Sequence, residues 1–458
     1  MDQPWKSEKK KERRRTIIYH KGVSAEMRFH WLVTVALFGC LLLFATVSAS
    51  SEIVSESDDG VLEIELAPFS EEEIPTLPPM EEFLPASEDV LANSETVQTL
   101  EYPVSAEPYV QYHNPSSSTD DSTLTFSFVG DCSIGDTVKS IKRKNTMTAM
   151  IASNTPNWLF STVSDIFHAD DFTFANLECV LTDTMVPLYP LKTFNLVGPS
   201  SHREVLACSG IDGVNTVNNH CIDFKYSGYE DTLANLDAVG IVHFGTLNPA
   251  RTSNRYEKLG RVEIKGIRIG IIGYAYPLTD DVLDYITQDI QTLRAEGCQI
   301  VIASLHWGTE EKKVPNKGQF PYAKKVLDAG ADMIWGHHPH VLQPVYFYDG
   351  KPILFSTGNF VFSTIKSLDP STGIFQLTWN IHSDGSVSLA SLHVIPAEIR
   401  HNKEYRPLLL TDPSDMKRCL KRLIGAEKNG FDSLPQGFEQ TGTVYIEEDG
   451  RLSLTPIH

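Results

Sequence analysis

The feature that most restricts the fold is a repeated event. Five times between Leu124 and Val341, a short apolar run stops at a group of hydrogen-bonding or metal-ligating side chains. Leu124 to Val129 runs into Gly130-Asp131, Phe172 to Ala175 into Asn176-Leu177-Glu178, and Gly213 to Val217 into Asn218-Asn219-His220. Ile300 to Leu305 ends at His306-Trp307-Gly308, and Met333-Ile334-Trp335 ends at Gly336-His337-His338-Pro339-His340. Between these runs lie stretches of helical spacing: Trp158 to His168, Val205 to Ser209, Tyr229 to Val239, Asp281 to Glu296 and Tyr322 to Ala329. Strands alternating with helices read as an α/β domain, and polar strand ends place a site at the carboxyl edge of its sheets.

The histidine-rich end is the densest of the five. In extended geometry alternate residues share a side, so His338 and His340 are expected to reach one point while His337 faces elsewhere. Solvated loop histidines are the plain alternative, and the weight against it comes from the other strand ends. Together these supply Asp131, Asn176, Glu178, Asn219, His220, Asp223, His306, His338 and His340. Oxygen and imidazole donors without thiolate suit Mn, Fe or Zn, as one ion or as a pair bridged by a carboxylate.

Charge divides the chain. Residues 1–50 carry +5, residues 51–123 carry −18 with no Lys or Arg, and residues 124–458 carry −7, so no basic face speaks for nucleic acid. A polar, basic leader (1–30) precedes seventeen uncharged residues, Trp31 to Val47. Segment 31–49 therefore reads as a transmembrane anchor or a signal segment, the latter with Val47-Ser48-Ala49 as a small-residue cleavage site. The long basic leader favours an uncleaved anchor, and the positive-inside tendency puts everything after Ser48 outside the membrane, or secreted if the signal is cleaved. Residues 50–123, rich in Glu, Pro and Ser, read as a disordered acidic linker.

After Val341 the pattern turns to short strands: Val345 to Tyr348, Pro352 to Phe355, Ile374 to Trp379 and Val387 to His393. Tyr348-Asp349-Gly350-Lys351 and Ser383-Asp384-Gly385-Ser386 have the composition of hairpin turns. The organised domain is expected over 124–400, with 401–458 as a C-terminal extension packed on it. Six cysteines outside the apolar segment invite disulfides. Three of them, Cys132, Cys179 and Cys221, directly follow a candidate ligand or its neighbour and are expected to turn to the packed face as small hydrophobes.

The motifs Phe128-Val129-Gly130-Asp131, Ala175-Asn176-Leu177-Glu178, Val217 to Asp223, Leu305 to Glu310, Gly336 to Val341 and Phe355 to Phe362 carry a resemblance. In this order they resemble the CapA/PgsA capsule and poly-γ-glutamate biosynthesis proteins, of the calcineurin-like metallophosphatase superfamily. The resemblance implies a four-layer αββα sandwich with Asp131, Glu178, Asn219, His306, His338 and His340 as metal ligands. It further implies that His220, with Asp223, acts on developing charge, and Lys192 matches a family Lys-x-Phe element suited to an anionic substrate, with a solvated surface lysine as the equal alternative. Asn176, Asn218 and Asn359 are expected beside the substrate, Asn359 also as a hydrogen-bonded tie between its loop and the site. The chain departs from the superfamily where Ser133 replaces a histidine, Glu178 replaces an aspartate, and Cys221 stands where an acid usually follows the histidine. Two readings of Glu310-Glu311, after the Trp307-Gly308 turn, stay open: acids that reach the site, or ordinary loop acids.

The implied function is extracytoplasmic work in the biosynthesis, release or anchoring of an anionic cell-surface polymer, by metal-assisted hydrolysis if catalytic. The expected partners are the membrane, the polymer or a phosphoester substrate, and subunits of a membrane polymer synthase. The competing expectation is a non-catalytic, polymer-binding accessory subunit of such a synthase.

Overall fold

Ile300–His306 carries Ile, Val, Ile, Ala and Leu without alternation, which marks a strand covered on both faces. The computed structural model shows what covers it. It describes residues 53–56, 62–64, 109–112, 122–188, 192–247, 257–363, 369–399, 404–424, 434–446 and 451–456, divided between the units Met1–Tyr102 and Pro103–His458. In the first unit Ile53–Glu56 pairs antiparallel with Leu62–Ile64. Part of the stretch expected to be disordered thus pairs. The leader and the apolar segment 31–49 lie outside the described residues. No helix among the described residues is long and apolar enough to cross a membrane.

The second unit holds two mixed sheets. The first runs β5 (Val242–Thr246), β4 (Gly213–Asn215), β3 (Phe172–Leu177) and β2 (Thr123–Cys132), all parallel. It continues antiparallel through β13 (Ser371–Ile381), β14 (Val387–Ile399) and β16 (Leu452–Pro456). A short strand, β12 (Asn359–Val361), lies parallel to the end of β2. In the second sheet β7 (Ile267–Ala275), β8 (Ile300–His306), β9 (Met333–His337) and β11 (Lys351–Leu354) are parallel. Its edges are β6 (Gly260–Ile264) beside β7 and β10 (Val345–Tyr348) beside β11, both antiparallel.

Phe126, Phe128 and Phe174 of the first sheet share a buried core with Ile271, Ile302 and Trp335 of the second. Trp335 packs 5.4 Å from the Phe128 ring, and its indole N–H donates to the Val129 carbonyl at 3.1 Å, tying the sheets together. Alternation along each strand sends the intervening residues to the outer faces. Ala175, Leu177 and Val214 there share a cluster with Met147 of α1 (Met147–Ala152), Phe167 of α2 (Ser164–Ala169), Val205 of α3 (Arg203–Ala207) and Leu236 of α4 (Lys225–Ala238). Val301, Ala303 and Ile334 meet Ile286 and Ile290 of α5 (Asp280–Ala295) and Phe320 and Val326 of α6 (Gln319–Asp328). Helix α5 shows why it forms: Val282, Ile286, Ile290 and Leu293 make one buried stripe, while Asp280 and Asp281 in the first turn and Arg294 in the last complement the helix dipole.

Three expectations shift. The helix expected from Trp158 to His168 is a 3-10 turn, Pro156–Leu159, followed by α2, because Thr162 and Val163 are poor helix formers between them. Within the expected linker, β1 (Val110–Gln111) pairs with β6. Its neighbour Tyr112 packs edge-on against Phe172 at 4.9 Å. Residues after 400 do not merely pack on the domain. Strand β15 (Phe438–Ile446) pairs with β10 of the second sheet and with β16 of the first, so it joins the two. Helix α7 (Pro413–Leu423) adds Met416, Cys419 and Leu423 to the inter-sheet core.

Candidate metal centre

The parallel strands bring their carboxyl ends into register. Asn359, Asp131, Asn176 and Asn215 stand side by side across β12, β2, β3 and β4, and His306 stands beside His337 across β8 and β9. Two glycines permit this approach. A Cβ on Gly130 would sit 1.9 Å from the Gly358 carbonyl oxygen, and one on Gly336 2.1 Å from that of Phe355. Only a bare backbone lets the neighbouring chain in at either place. Asp131 N–H then donates to the Gly358 carbonyl at 2.8 Å, fixing the carboxylate at the mouth.

Asp131 is fully buried and surrounded by donors. Asn176 Nδ2 donates to its Oδ1 at 2.8 Å, the His338 backbone N–H to its Oδ2 at 3.3 Å, and His340 Nδ1 lies 3.1 Å from Oδ2. Burial disfavours the charge, but contacts with His337 and His340 outweigh it and hold the carboxyl well below its usual range.

Glu178 is the opposite case. It is equally buried, and neither carboxylate oxygen has a hydrogen-bond partner. Burial, and then the neighbouring Asp131 charge, push its pKa well above normal. Around Oε1 stand three imidazole nitrogens, Nε2 of His220 at 3.9 Å, of His306 at 3.9 Å and of His340 at 3.8 Å, too far for hydrogen bonds. A buried carboxylate without donors costs several kcal/mol unless a cation compensates it. The residues present therefore fit a divalent ion. Ligand atoms of Asp131, Glu178 and His306 lie within 4.8 Å of one another.

The imidazoles are set individually. His340 Nδ1 faces Asn359 Oδ1 at 2.9 Å, so Nε2 is the atom turned to Glu178. Burial opposes a charge on His340, but Glu178 and Asp131 prevail and raise its pKa to about 9. Burial, with His340 second, lowers His338 to about 4, and burial also lowers His306 and His337. Neutral rings are the ligand form. Asn219 Oδ1 lies 2.8 Å from His306 Nε2. His220 Nδ1 lies 2.7 Å from Asp223 Oδ2, which orients its Nε2 toward Glu178.

The structure corrects the reading of the histidine loop. Strand β9 ends at His337, and His338 (φ 95°) and His340 (φ 59°) have left-handed backbone, so alternation stops where it was applied. All three rings converge. His337 Nδ1 is 3.3 Å from Asp131 Oδ1, though not aligned for a hydrogen bond. Holding two non-glycine residues in this backbone region costs about 1–3 kcal/mol each, and such strain collects at functional sites.

The side chains expected to meet substrate are engaged within the protein. Asn176 Nδ2 serves Asp131 while its Oδ1 accepts from Asn215 at 3.1 Å; Asn218 donates to the Leu177 carbonyl at 2.9 Å and accepts from His220 N–H at 3.0 Å. Lys192 Nζ reaches Asp223 at 2.5 Å and donates to the Asn219 carbonyl at 3.0 Å, bracing the loop behind His220. Asn359 holds His340. Sequence reasoning missed Asn215, although an Asn inside a short buried strand was itself a signal. It also missed Tyr276, whose ring lies 4.8 Å from His338. Cys132, Cys179 and Cys221 are buried in apolar clusters, and none of the six cysteines from Cys132 to Cys419 forms a disulfide.

Residues 125–364 match the family described as "Bacterial capsule synthesis protein PGA_cap", and they contain every residue of this centre. The chain belongs to that family. Among proteins similar to it, the Bacillus subtilis "PGA biosynthesis protein CapA" is 31% identical over 259 residues, 53% of this chain and 64% of that protein. The Bacillus anthracis "Capsule biosynthesis protein CapA" is 25% identical over 339 residues, 69% of this chain and 76% of that one. A Mycobacterium tuberculosis "Probable polyglutamine synthesis accessory protein" is 29% identical over 230 residues, 45% of this chain and 60% of that one. The match thus spans less than two thirds of the first and third of these relatives. Among solved structures, Termus thermophilus sulfate thiohydrolase SoxB superposes with a TM-score of 0.35 at 12% identity, covering 71% of this chain and 62% of that one.

Proposed function

We propose that this PGA_cap protein acts outside the cytoplasm, held at the membrane by segment 31–49, in the biosynthesis, release or anchoring of an anionic cell-surface polymer such as poly-γ-glutamate. Its α/β unit is read as a metallophosphatase-type αββα sandwich whose centre performs metal-dependent hydrolysis. The observation that carries the chemistry is Glu178, a buried carboxylate without donors among three histidines. The relatives' names support the polymer.

Asp131, Glu178, Asn219, His306, His338 and His340 would hold the metal: Mn, Fe or Zn by donor type. Once bound, it would polarise a phosphoryl or acyl oxygen and acidify a water. His220 contributes from the side. Asp223 fixes its Nδ1, so Nε2 is the atom presented to the reacting centre, where it can stabilise developing charge or move a proton. Asn359 and Asn176 keep His340 and Asp131 in place.

A second reading, a non-catalytic polymer-binding subunit of a membrane synthase, is favoured by Ser133, which offers no imidazole where the superfamily has one. One experiment separates them. The purified full chain, stripped and reloaded with Mn, Fe or Zn, is assayed for bound metal by elemental analysis and for hydrolysis of a generic phosphodiester. Bound metal with hydrolysis that disappears in His338→Ala supports the enzyme. Bound metal without hydrolysis supports the accessory subunit, and a full chain that retains no metal overturns the centre.

A further inference from the structure

We infer that the loops around a small three-stranded sheet beside the metal centre form a docking ridge for a bilayer surface carrying anionic headgroups. It is a second membrane contact, made by the α/β unit itself. It rests on the membrane-held reading of segment 31–49 only in that the anchor brings a bilayer near, and it uses different residues.

Two independent observations meet there. In this sheet Asp136–Thr137 pairs antiparallel with Leu196–Gly198, which pairs parallel with Val180–Leu181. Thr137 lies opposite Leu196, so the chain leaves toward Lys139 at the same end where Phe194 enters. The departing loop reads Lys139-Ser140-Ile141-Lys142-Arg143-Lys144, four positive charges and no negative one, although residues 124–458 carry −7. Its four cationic residues are exposed, and none is in an ion pair among the described residues. The second observation is apolar. Of the five large apolar side chains exposed among the described residues, three lie on the neighbouring loops: Met185 and Val186 after Val180–Leu181, and Phe194 before Leu196–Gly198. Exposed apolar groups beside cations make an interfacial surface, in which the former enter the headgroup boundary and Lys and Arg meet the anionic groups.

The ridge is held in shape from beneath. Val138 and Ile141 pack against Val180, Val197 and Phe224, which leaves the cations outside. Ser140 N–H donates to the Thr137 carbonyl at 2.9 Å and Arg143 N–H to the Ser140 carbonyl at 2.7 Å. The Asp136 carboxylate accepts from Met147 N–H at 3.1 Å and Thr148 N–H at 2.7 Å, closing the loop onto α1. The same sheet is tied to the centre: Leu196 N–H donates at 2.9 Å to Asp223 Oδ2, the oxygen that faces His220 Nδ1. A bilayer against the ridge therefore sets the height of the centre above the headgroups, which suits an anionic chain whose reacting end is held at the membrane. A free polyanion would meet the cations alone, whereas a bilayer also takes up Phe194, Met185 and Val186.

The test mixes the full chain with nanodiscs of phosphatidylcholine, or of phosphatidylcholine with phosphatidylglycerol, and follows amide hydrogen exchange by mass spectrometry. In the anionic discs residues 138–145 and 192–195 are expected to exchange on the order of 10-fold more slowly than in the neutral ones, the effect of two or more cations at an anionic surface. Residues 300–306 of β8 should exchange equally in both, which shows an intact fold. Lys142→Glu with Arg143→Glu, and separately Phe194→Ser, should abolish the slowing, whereas Lys325→Glu, an equal change of charge on α6, should keep it. Equal exchange in the two discs, or slowing that survives both ridge variants, overturns the inference. So does slowing produced by soluble polyglutamate and not by anionic discs, which would make the loop a polymer site. Retention on neutral discs reads the anchor separately. A chain retained only by anionic discs, and released by the ridge variants, supports the ridge and overturns the anchor; a chain retained by neither overturns both.

Discussion

Strand β3 is flanked by buried acids, Asp170 and Asp171 before it and Glu178 after it, and the two ends treat them oppositely. At the amino ends, Asp170, Asp171 and Asp212 are all supplied with partners. Asp171 accepts from Thr125 N–H at 2.8 Å and meets Lys265 Nζ at 2.9 Å; Asp170 accepts from the Thr173 hydroxyl at 2.8 Å. Asp212 accepts from Thr173 N–H at 2.8 Å and from the Tyr112 hydroxyl. At the carboxyl ends, Glu178 has no donor at all. A buried carboxylate whose oxygens are satisfied locks strands and loops together. One left unsatisfied marks a place arranged for a cation.

The comparison breaks most visibly if the amino-end acids are not structural. Asp171→Ala leaves Lys265 without its carboxylate in a site where the two side chains are 10% and 4% exposed. It is expected to cost about 3–5 kcal/mol, read by urea denaturation of the metal-free protein; a loss below ~1 kcal/mol would dissolve the distinction.

The next effect is in pH. Burial raises Asp212 from an ordinary value of 3.8 to about 7, with the hydrogen bonds from Tyr112 and Thr173 working the other way. A pKa raised on folding contributes stability that is complete below the unfolded value and is lost as pH rises through the folded one. Stability from this group should therefore decline between pH 3.8 and about 7, with a slope approaching ~1.4 kcal/mol per pH unit. Asp212→Asn should remove that component of the slope, and an identical pH dependence in both proteins would contradict the assignment.

The smallest effect has the opposite sign. In metal-free protein, Glu178→Met removes an orphaned buried carboxyl and should leave stability unchanged or raise it by about 1 kcal/mol. The same variant should lose the stabilisation that saturating Mn(II) gives the wild type, about 2.7 kcal/mol at a hundredfold excess over Kd. Differential scanning calorimetry with and without the ion reads both, and a variant destabilised in the absence of metal would place Glu178 with the structural acids.

Much of the centre was legible along the chain because ligands at strand ends are local features. An apolar run shows where a strand stops, and the residue at the stop is visible by type, as at Asp131, Glu178 and His306. Alternation failed at His337 because it holds only within extended backbone, and positive φ at His338 and His340 lies beyond it. Asn215 was hidden for another reason: its importance comes from standing beside Asn176 on the next strand, and register between strands is a long-range property.

The order of strands and helices, the identity of the donors and the acidic stretch before the α/β unit follow from residue types and their periodicity, which short-range sterics and burial dictate. Only the tertiary structure decided that Val110–Gln111 and Phe438–Ile446 belong to the sheets, that Glu310 crosses to the histidine loop, and that Glu178 alone among these acids is left without a donor. The physical reason is that a side chain's chemistry is local, whereas the satisfaction of its hydrogen bonds depends on what distant segments bring to it.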